Sequence, residues 1–266
     1  MNEILKNKKL YIFDMDGTVY LENTVFPFAV TFIHKLRKAG KKVLFFTNNA
    51  SQNVRVYLDK LNRMGFEATK DEILSSADVC AAFLTKYRNG KSVYLLGTPE
   101  LEECFCTYGV PLTNERGNAD IVVVSFDKTL TYDKLNHACR FIRNGAEFLS
   151  THPDLNCPVK DGYIPDSGAI CAAVTASTGK SPRYFGKPHR ETVDMICEIT
   201  GVDKSDMCIF GDRLYTDIAM GASHGITSTL VLTGEATKEE ALQASPNARA
   251  DFIYPSLQQV DEDIFE

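Results

Sequence analysis

Leu10-Tyr11-Ile12-Phe13-Asp14-Met15-Asp16-Gly17-Thr18 is the stretch on which the architecture turns. Four successive apolar, β-favouring residues without polar alternation form the pattern of a short strand buried on both faces, as in a parallel sheet covered by helices. Two carboxylates follow at its carboxyl end, where open α/β sheets bind ligands. In extended chain, residues two apart project to the same side, so Asp14 and Asp16 can face one ion. Gly17 then lets the chain turn away sharply. The same residues can also be read as a turn whose acids cap backbone amides.

Working outward, apolar runs at 43–46, 207–210 and 229–232 read as further core strands. Between the first two strands, Phe28, Phe32 and Leu36 recur every four residues. That spacing predicts a helix over 27–39, opened by Pro27 and closed by Gly40. The opening unit is therefore βαβ, with a right-handed crossover. The middle of the chain has its own set: strands at 93–96, 121–124 and 148–149, and helices from about 99 and over 135–142. Alternation of this kind predicts an α/β fold, a Rossmann-like parallel-sheet core with helices on both faces. A second α/β unit is inserted into it. The boundaries expected are 1–80 and 183–266 for a discontinuous core and 81–182 for the insertion, with Ser181-Pro182 marking the return.

Three more polar groups sit at strand ends or helix starts. Thr47-Asn48-Asn49 ends the second strand, where a hydroxyl and loop amides can hold phosphate oxygens or cap a helix. Gly186-Lys187-Pro188-His189 places a lysine before a helix, either to neutralise an anion or simply as a solvated charge. Gly211-Asp212-Arg213-Leu214-Tyr215-Thr216-Asp217 adds two acids after the 207–210 strand. They can complete an oxygen-rich site for Mg²⁺ or open a helix. Four such groups, each closing a core strand or opening the helix after it, do not arise readily from unrelated capping.

These four motifs, in residue type and order, resemble those of the haloacid dehalogenase (HAD) superfamily. The branch they resemble is the NagD and 4-nitrophenylphosphatase group, with an α/β cap inserted between the second and third motifs. The resemblance implies a Mg²⁺-dependent phosphatase acting on small phosphate monoesters through an aspartyl-phosphate. Sugar phosphates and nucleoside monophosphates are among them, and 4-nitrophenyl phosphate is an artificial substrate. Asp14 would be the nucleophile, and Asp16 would protonate the leaving oxygen and later activate water. Mg²⁺ would be held by Asp14, the backbone carbonyl of Asp16, and Asp212. Thr47 and the amide of Asn48 would bind phosphate oxygens, Lys187 would balance charge, and Asp217 would orient the lysine or metal waters.

In the inserted segment, Thr151-His152-Pro153-Asp154 followed by Cys157-Pro158 resembles the family's cap signature, with His152 where Asn usually stands. His152 reads as a hydrogen-bonded loop histidine near the hinge or as a substrate contact, and Asp154 and Asp166 are candidates to face substrate.

Composition bounds the alternatives. Hydrophobic residues at 44% and charged residues at 24% are ordinary globular values. With 29 Lys and Arg against 35 Asp and Glu, there is no basic stripe for a nucleic-acid backbone. Nor is any apolar run near the ~20 residues of a membrane helix. Neither a nucleic-acid polymer nor a membrane is an expected partner. The start of the chain has no apolar leader, so a cytoplasmic, unprocessed protein is expected. Eight cysteines scattered without CxxC spacing read as reduced, mostly buried hydrophobes. Apolar cap surface could support a homodimer. A phosphotransferase or mutase using the same intermediate, or a non-catalytic module binding a phosphorylated ligand, are the rival readings. A dehalogenase has no use for Asp16 and a full metal set.

Overall fold

The structure, a computed structural model, describes residues 2–159 and 162–265. The chain forms two compact units: one comprises Met1–Thr47, Val54–Leu74 and Lys187–Glu266, the other Asn48–Asn53 and Ser75–Gly186. The boundary expected at residue 81 falls inside the helix Ser76–Tyr87, and the units part at Ser75 instead. Ser75 is where this helix begins: its hydroxyl accepts from the amide of Asp78 while the Asp78 carboxylate takes the Ser75 amide at 2.8 Å. A capping box of this kind fixes a chain break that apolar periodicity does not mark.

The first unit is built on a six-stranded sheet. From one edge its order is Phe252–Tyr254, Thr227–Val231, Met207–Gly211, Leu10–Phe13, Lys42–Thr47 and Ile73–Ser75. The strand Leu10–Phe13 pairs in parallel with both of its neighbours, and all four of its residues are buried. The alternate residues Tyr11 and Phe13 join Phe32, Phe45, Phe66 and Phe210 in one core. The rings of Phe13 and Phe210 stack with centroids 5.0 Å apart, a geometry that adds to the simple burial of apolar area. Helix Pro27–Lys38 buries Ala29, Phe32, Ile33 and Leu36 on this core. Proline at its start costs no hydrogen bond, because the first helical N–H groups have no partner in any case.

Topology places the ligand site. From Leu10–Phe13 the chain adds strands outward on one side, and after the second unit it returns to add Met207–Gly211 on the other. The sheet therefore changes direction between Leu10–Phe13 and Met207–Gly211. Crevices for ligands in doubly wound sheets open beyond the carboxyl ends of two such strands.

The second unit contains a five-stranded parallel sheet in the order Arg183–Tyr184, Glu147–Ser150, Ile121–Val124, Val93–Leu96, Leu112–Thr113. Its apolar interior joins Leu96, Val122, Val124, Phe141, Phe148 and Val174. Helix Pro99–Thr107 is capped by Thr98, and helix Ser167–Thr178 by Asp166. Asn156–Val159 and Gly162–Pro165 form an antiparallel pair. Among the described residues no helix is long and apolar enough to cross a membrane.

Candidate active site

Asp14 follows the last residue of the strand Leu10–Phe13, and its amide donates to the carbonyl of Phe210 at 2.8 Å. Asp212 follows Met207–Gly211 in the adjacent strand. Asp217 lies on the wide π-type turn Leu214–Ile218 and is fully buried. Carboxylate oxygens of Asp14, Asp212 and Asp217 all lie within 4.8 Å of one another. Lys187 joins them, 2% exposed. Its ammonium forms a very short contact with Asp14 Oδ1, an ion pair of 2.7 Å with Asp217 Oδ1, and a 3.3 Å bond to the carbonyl of Phe46.

Three acids and one cation leave an excess of negative charge away from water. Burial is the main cause that raises the Asp14 carboxyl to about 6; Lys187 pulls it down and Asp217 pushes it up. For Asp212 burial again leads, followed by repulsion from Asp14 and Asp217, and its carboxyl rises to about 7. Burial works against the charge on Lys187, but Asp14 and Asp217 outweigh it and hold the ammonium above its ordinary value.

The donor set suits a hard divalent cation. Among the described residues Oδ1 of Asp212, which is buried, has no hydrogen-bond partner, whereas Oδ2 accepts from the amide of Glu235 at 2.7 Å. A buried carboxylate oxygen left without a donor is costly unless something cationic meets it. The chain makes room for that carboxylate. Gly17, at φ +86°, lies so close to Asp212 that any side chain there would overlap it.

The other expected residues are placed less simply. Asp16 is exposed, its Oδ1 accepting from the amide of Glu22 at 3.0 Å, and its carboxylate is not one of the clustered three. Thr47 ends its strand in the first unit, half-buried. Asn48, the next residue, folds with the second unit, and its side-chain amide meets both carboxylate oxygens of Asp154 at 3.2 and 3.3 Å. His152 is fully buried, its ring between Thr151 Oγ1 at 2.9 Å and Asp166 Oδ1 at 2.8 Å. Asp166, expected to face substrate, is instead buried at the N-terminus of helix Ser167–Thr178, where its carboxylate accepts from the Ser167 amide at 2.5 Å. An acid already bound to a helix cap and an imidazole has no open face for a ligand.

Sequence reasoning missed the segment Thr233-Gly234-Glu235. Besides the Glu235 amide on Asp212, Thr233 Oγ1 donates to the carbonyl of Gly17 at 2.6 Å. The signal was present: this segment follows the strand Thr227–Val231, and the strand-end rule that exposes Asp14 and Asp212 applies to it equally.

The model of the haloacid dehalogenase-like hydrolase family matches residues 11–111, and a second HAD-hydrolase-like model matches residues 184–260. The acid sugar phosphatase of Staphylococcus saprophyticus is 38% identical over 236 residues, 89% of this chain and 91% of that protein. Among solved structures, a 4-nitrophenylphosphatase from Thermotoga maritima superposes with TM-score 0.93 at 41% identity, covering 99% of this chain and 100% of that one. The glycerol phosphate phosphatase of Mycobacterium tuberculosis, solved in complex with magnesium, gives TM-score 0.89 at 29% identity over 98% of this chain and 78% of that one. The chain belongs to the haloacid dehalogenase-like hydrolase family. Within it, the chain falls in the NagD and 4-nitrophenylphosphatase-like branch and is a phosphatase, a phosphoric monoester hydrolase.

Proposed function

We propose that this phosphatase hydrolyses small phosphate monoesters, with sugar phosphates the leading class, through a phosphoryl group carried on Asp14. The carrying observation is the ion-paired cluster in which Lys187 touches both Asp14 and the fully buried Asp217. A carboxylate is a poor nucleophile toward a dianionic ester because like charges repel. Lys187 lowers that repulsion and, held on two sides, keeps Asp14 aimed. Asp14 attacks phosphorus and the bond to the leaving oxygen breaks. Asp16, exposed and free to reach solvent, gives that oxygen a proton and afterwards takes one from the water that hydrolyses the aspartyl-phosphate. Thr47 and the amide of Asn48 hold the non-transferring phosphate oxygens.

Mg²⁺ fits the residues present. Asp14, Asp212 and the backbone carbonyl of Asp16 would hold it, with Asp217 supporting from behind Lys187. Bound there, it would supply positive charge to the phosphate oxygens as negative charge builds on them. The acid sugar phosphatase relative and the glycerol phosphate phosphatase solved with magnesium support both readings.

The test is phosphate release from a panel of sugar phosphates, nucleoside monophosphates and 4-nitrophenyl phosphate by wild type and Asp14→Asn, with Mg²⁺ and with chelator. Wild type should be active only with Mg²⁺, and the variant should be silent. Equal release by the two proteins would refute the Asp14 chemistry. Product formation that depends on an added alcohol acceptor would turn the reading toward phosphotransfer.

A further inference from the structure

The segment Asn48–Asn53 departs from a core strand yet is fastened to the second unit at four points. The side-chain amide of Asn48 donates to both oxygens of Asp154. The hydroxyl of Ser76 donates to the Asn48 carbonyl at 2.7 Å, and that of Thr98 to the Ser51 carbonyl at 3.4 Å. The amide of Asn53 reaches Glu103 at 3.3 Å. A loop fastened in this way has its orientation dictated by the groups that hold it.

Asp154 is held in turn. Its carbonyl accepts from the amide of Gly168 at 2.8 Å, and the carbonyl of Leu155 accepts from the amide of Asp166 at 3.0 Å. Two residues back, His152 has both ring nitrogens engaged by Thr151 and Asp166, and its carbonyl accepts from Ser150 Oγ at 3.0 Å. An imidazole–carboxylate pair closed off from water is a stiff support, because each lost bond would leave a buried polar atom without a partner. Gly186 closes the cluster: a β-carbon on it would lie 2.8 Å from Asn48 Oδ1 and 2.9 Å from His152 Cβ. The residue after Gly186 is Lys187. The chain segments that lead from Thr47 and into Lys187 are thus packed on one buried polar cluster of the second unit.

We infer that Asp154, braced by the His152–Asp166 pair, positions Asn48 and so aims the amide that grips substrate phosphate. The inference rests on the phosphatase reading of Thr47 and Asn48. His152 and Asp154 are positioning residues and not contacts to substrate. An amide binds phosphate only when its N–H is aimed at it, and small misalignments in such sites are costly.

The experiment compares wild type, Asp154→Ala, Asp154→Asn and His152→Asn. It measures KM and kcat for 4-nitrophenyl phosphate, inhibition by inorganic phosphate, Mg²⁺ affinity by calorimetry, and melting temperature. Asp154→Ala should raise both KM and the phosphate inhibition constant roughly ten-fold, with kcat changed less than about three-fold and Mg²⁺ affinity unchanged. Asp154→Asn should recover most of the loss, because its amide oxygen still accepts a bond from Asn48. His152→Asn is too short to reach Asp166 and should weaken phosphate binding in the same direction. Should Asp154→Ala fail to fold, Asp154→Ser, which removes the carboxylate but keeps a polar group, provides the same reading. Folded variants that bind phosphate as wild type does would overturn the inference. A wild type that neither cleaves esters nor binds phosphate removes the functional reading itself, and the inference goes with it.

Discussion

Gly234 packs against the carboxylate of Asp212 with no room for a β-carbon between them. Gly17 presses on the same carboxylate from another part of the chain, so Asp212 is confined between two backbone segments. Gly234→Ala must therefore push the carboxylate out of place. Because only the site is disturbed, Mg²⁺ affinity and kcat/KM should each fall about 10–100-fold while the melting temperature changes by only a few degrees. Calorimetry with Mg²⁺ alone checks this. Unchanged Mg²⁺ affinity would show that Asp212 does not hold the metal.

Crowded carboxylates also make the metal-free protein sensitive to pH. The ordinary carboxyl value is 3.8, and in the folded protein Asp14 lies at about 6 and Asp212 at about 7. Between these limits the native state binds more protons than the unfolded chain, so stability falls as pH rises and the loss is complete above about 7. In chelator, the melting temperature at pH 5 should exceed that at pH 8 by roughly 5 °C. Mg²⁺ added at pH 8 should restore it, since a ligand of the native state alone stabilises by mass action. Asp212→Asn should flatten the pH profile; a profile as steep as that of wild type would locate the effect elsewhere.

Lys187 is ion-paired with both Asp14 and Asp217. Lys187→Met keeps its length and removes its charge, leaving two buried carboxylates facing each other. The turnover number should drop about 10²–10³-fold, as when a donor aimed at developing negative charge is deleted. Melting should fall markedly at pH 8 and much less at pH 5.5, where Asp14 can take up a proton. An equal loss of stability at both pH values would mean that the lysine acts through packing alone.

What the sequence revealed follows from burial. The strand at 10–13 lies where the apolar run placed it, because a strand covered on both faces leaves no polar residue to blur its ends. Helix 27–39 ends one residue early, at Lys38. The edge strands Ile73–Ser75 and Phe252–Tyr254 escaped notice: each is three residues long, and the second is only half-buried, so neither makes a distinctive run. The site divides in the same way. Asp14, Lys187, Asp212 and Asp217 could be picked out because each occupies a strand end or helix start, a position visible in one dimension. The bond between Asn48 and Asp154 joins residues 106 apart in the chain, and no local pattern announces it.

The cysteines offer a check that is independent of catalysis. Among the described residues the cysteines form no disulfide; Cys80, Cys104, Cys139, Cys171 and Cys208 are buried, Cys157 and Cys197 partly so, and Cys106 is exposed. Burial is the leading cause that raises the thiol of Cys171 to about 11, which keeps it from ionising near neutral pH. In the native protein, an aromatic disulfide reagent should titrate one thiol rapidly and two more slowly, and all eight should react in denaturant. Reducing agent should leave the melting temperature unchanged. Rapid native titration of five or more would contradict this packing.

Glu235 combines two roles that a substitution can separate. Its backbone amide donates to Asp212 Oδ2 at 2.7 Å, while its carboxylate pairs with Arg213 Nε at 3.1 Å and accepts from the Tyr215 hydroxyl at 3.2 Å. The side chain thus ties the 233–236 segment to the turn that carries Asp217, and the backbone uses that tie to aim Asp212. Glu235→Ala keeps the amide but frees the segment. Half-saturation by Mg²⁺ should rise about 3–10-fold with kcat nearly preserved at saturating Mg²⁺, in contrast to the loss of both expected for Asp212→Ala. Partly exposed ion pairs are weak stabilisers, so melting should move by only a degree or two. A Glu235→Gln variant should lie between the two, since its amide oxygen can still accept from Tyr215 but carries no charge for Arg213. If Glu235→Ala lowered kcat without moving Mg²⁺ affinity, the tie would serve the reacting groups directly, and the aim of Asp212 would depend on the confinement by Gly17 and Gly234 alone.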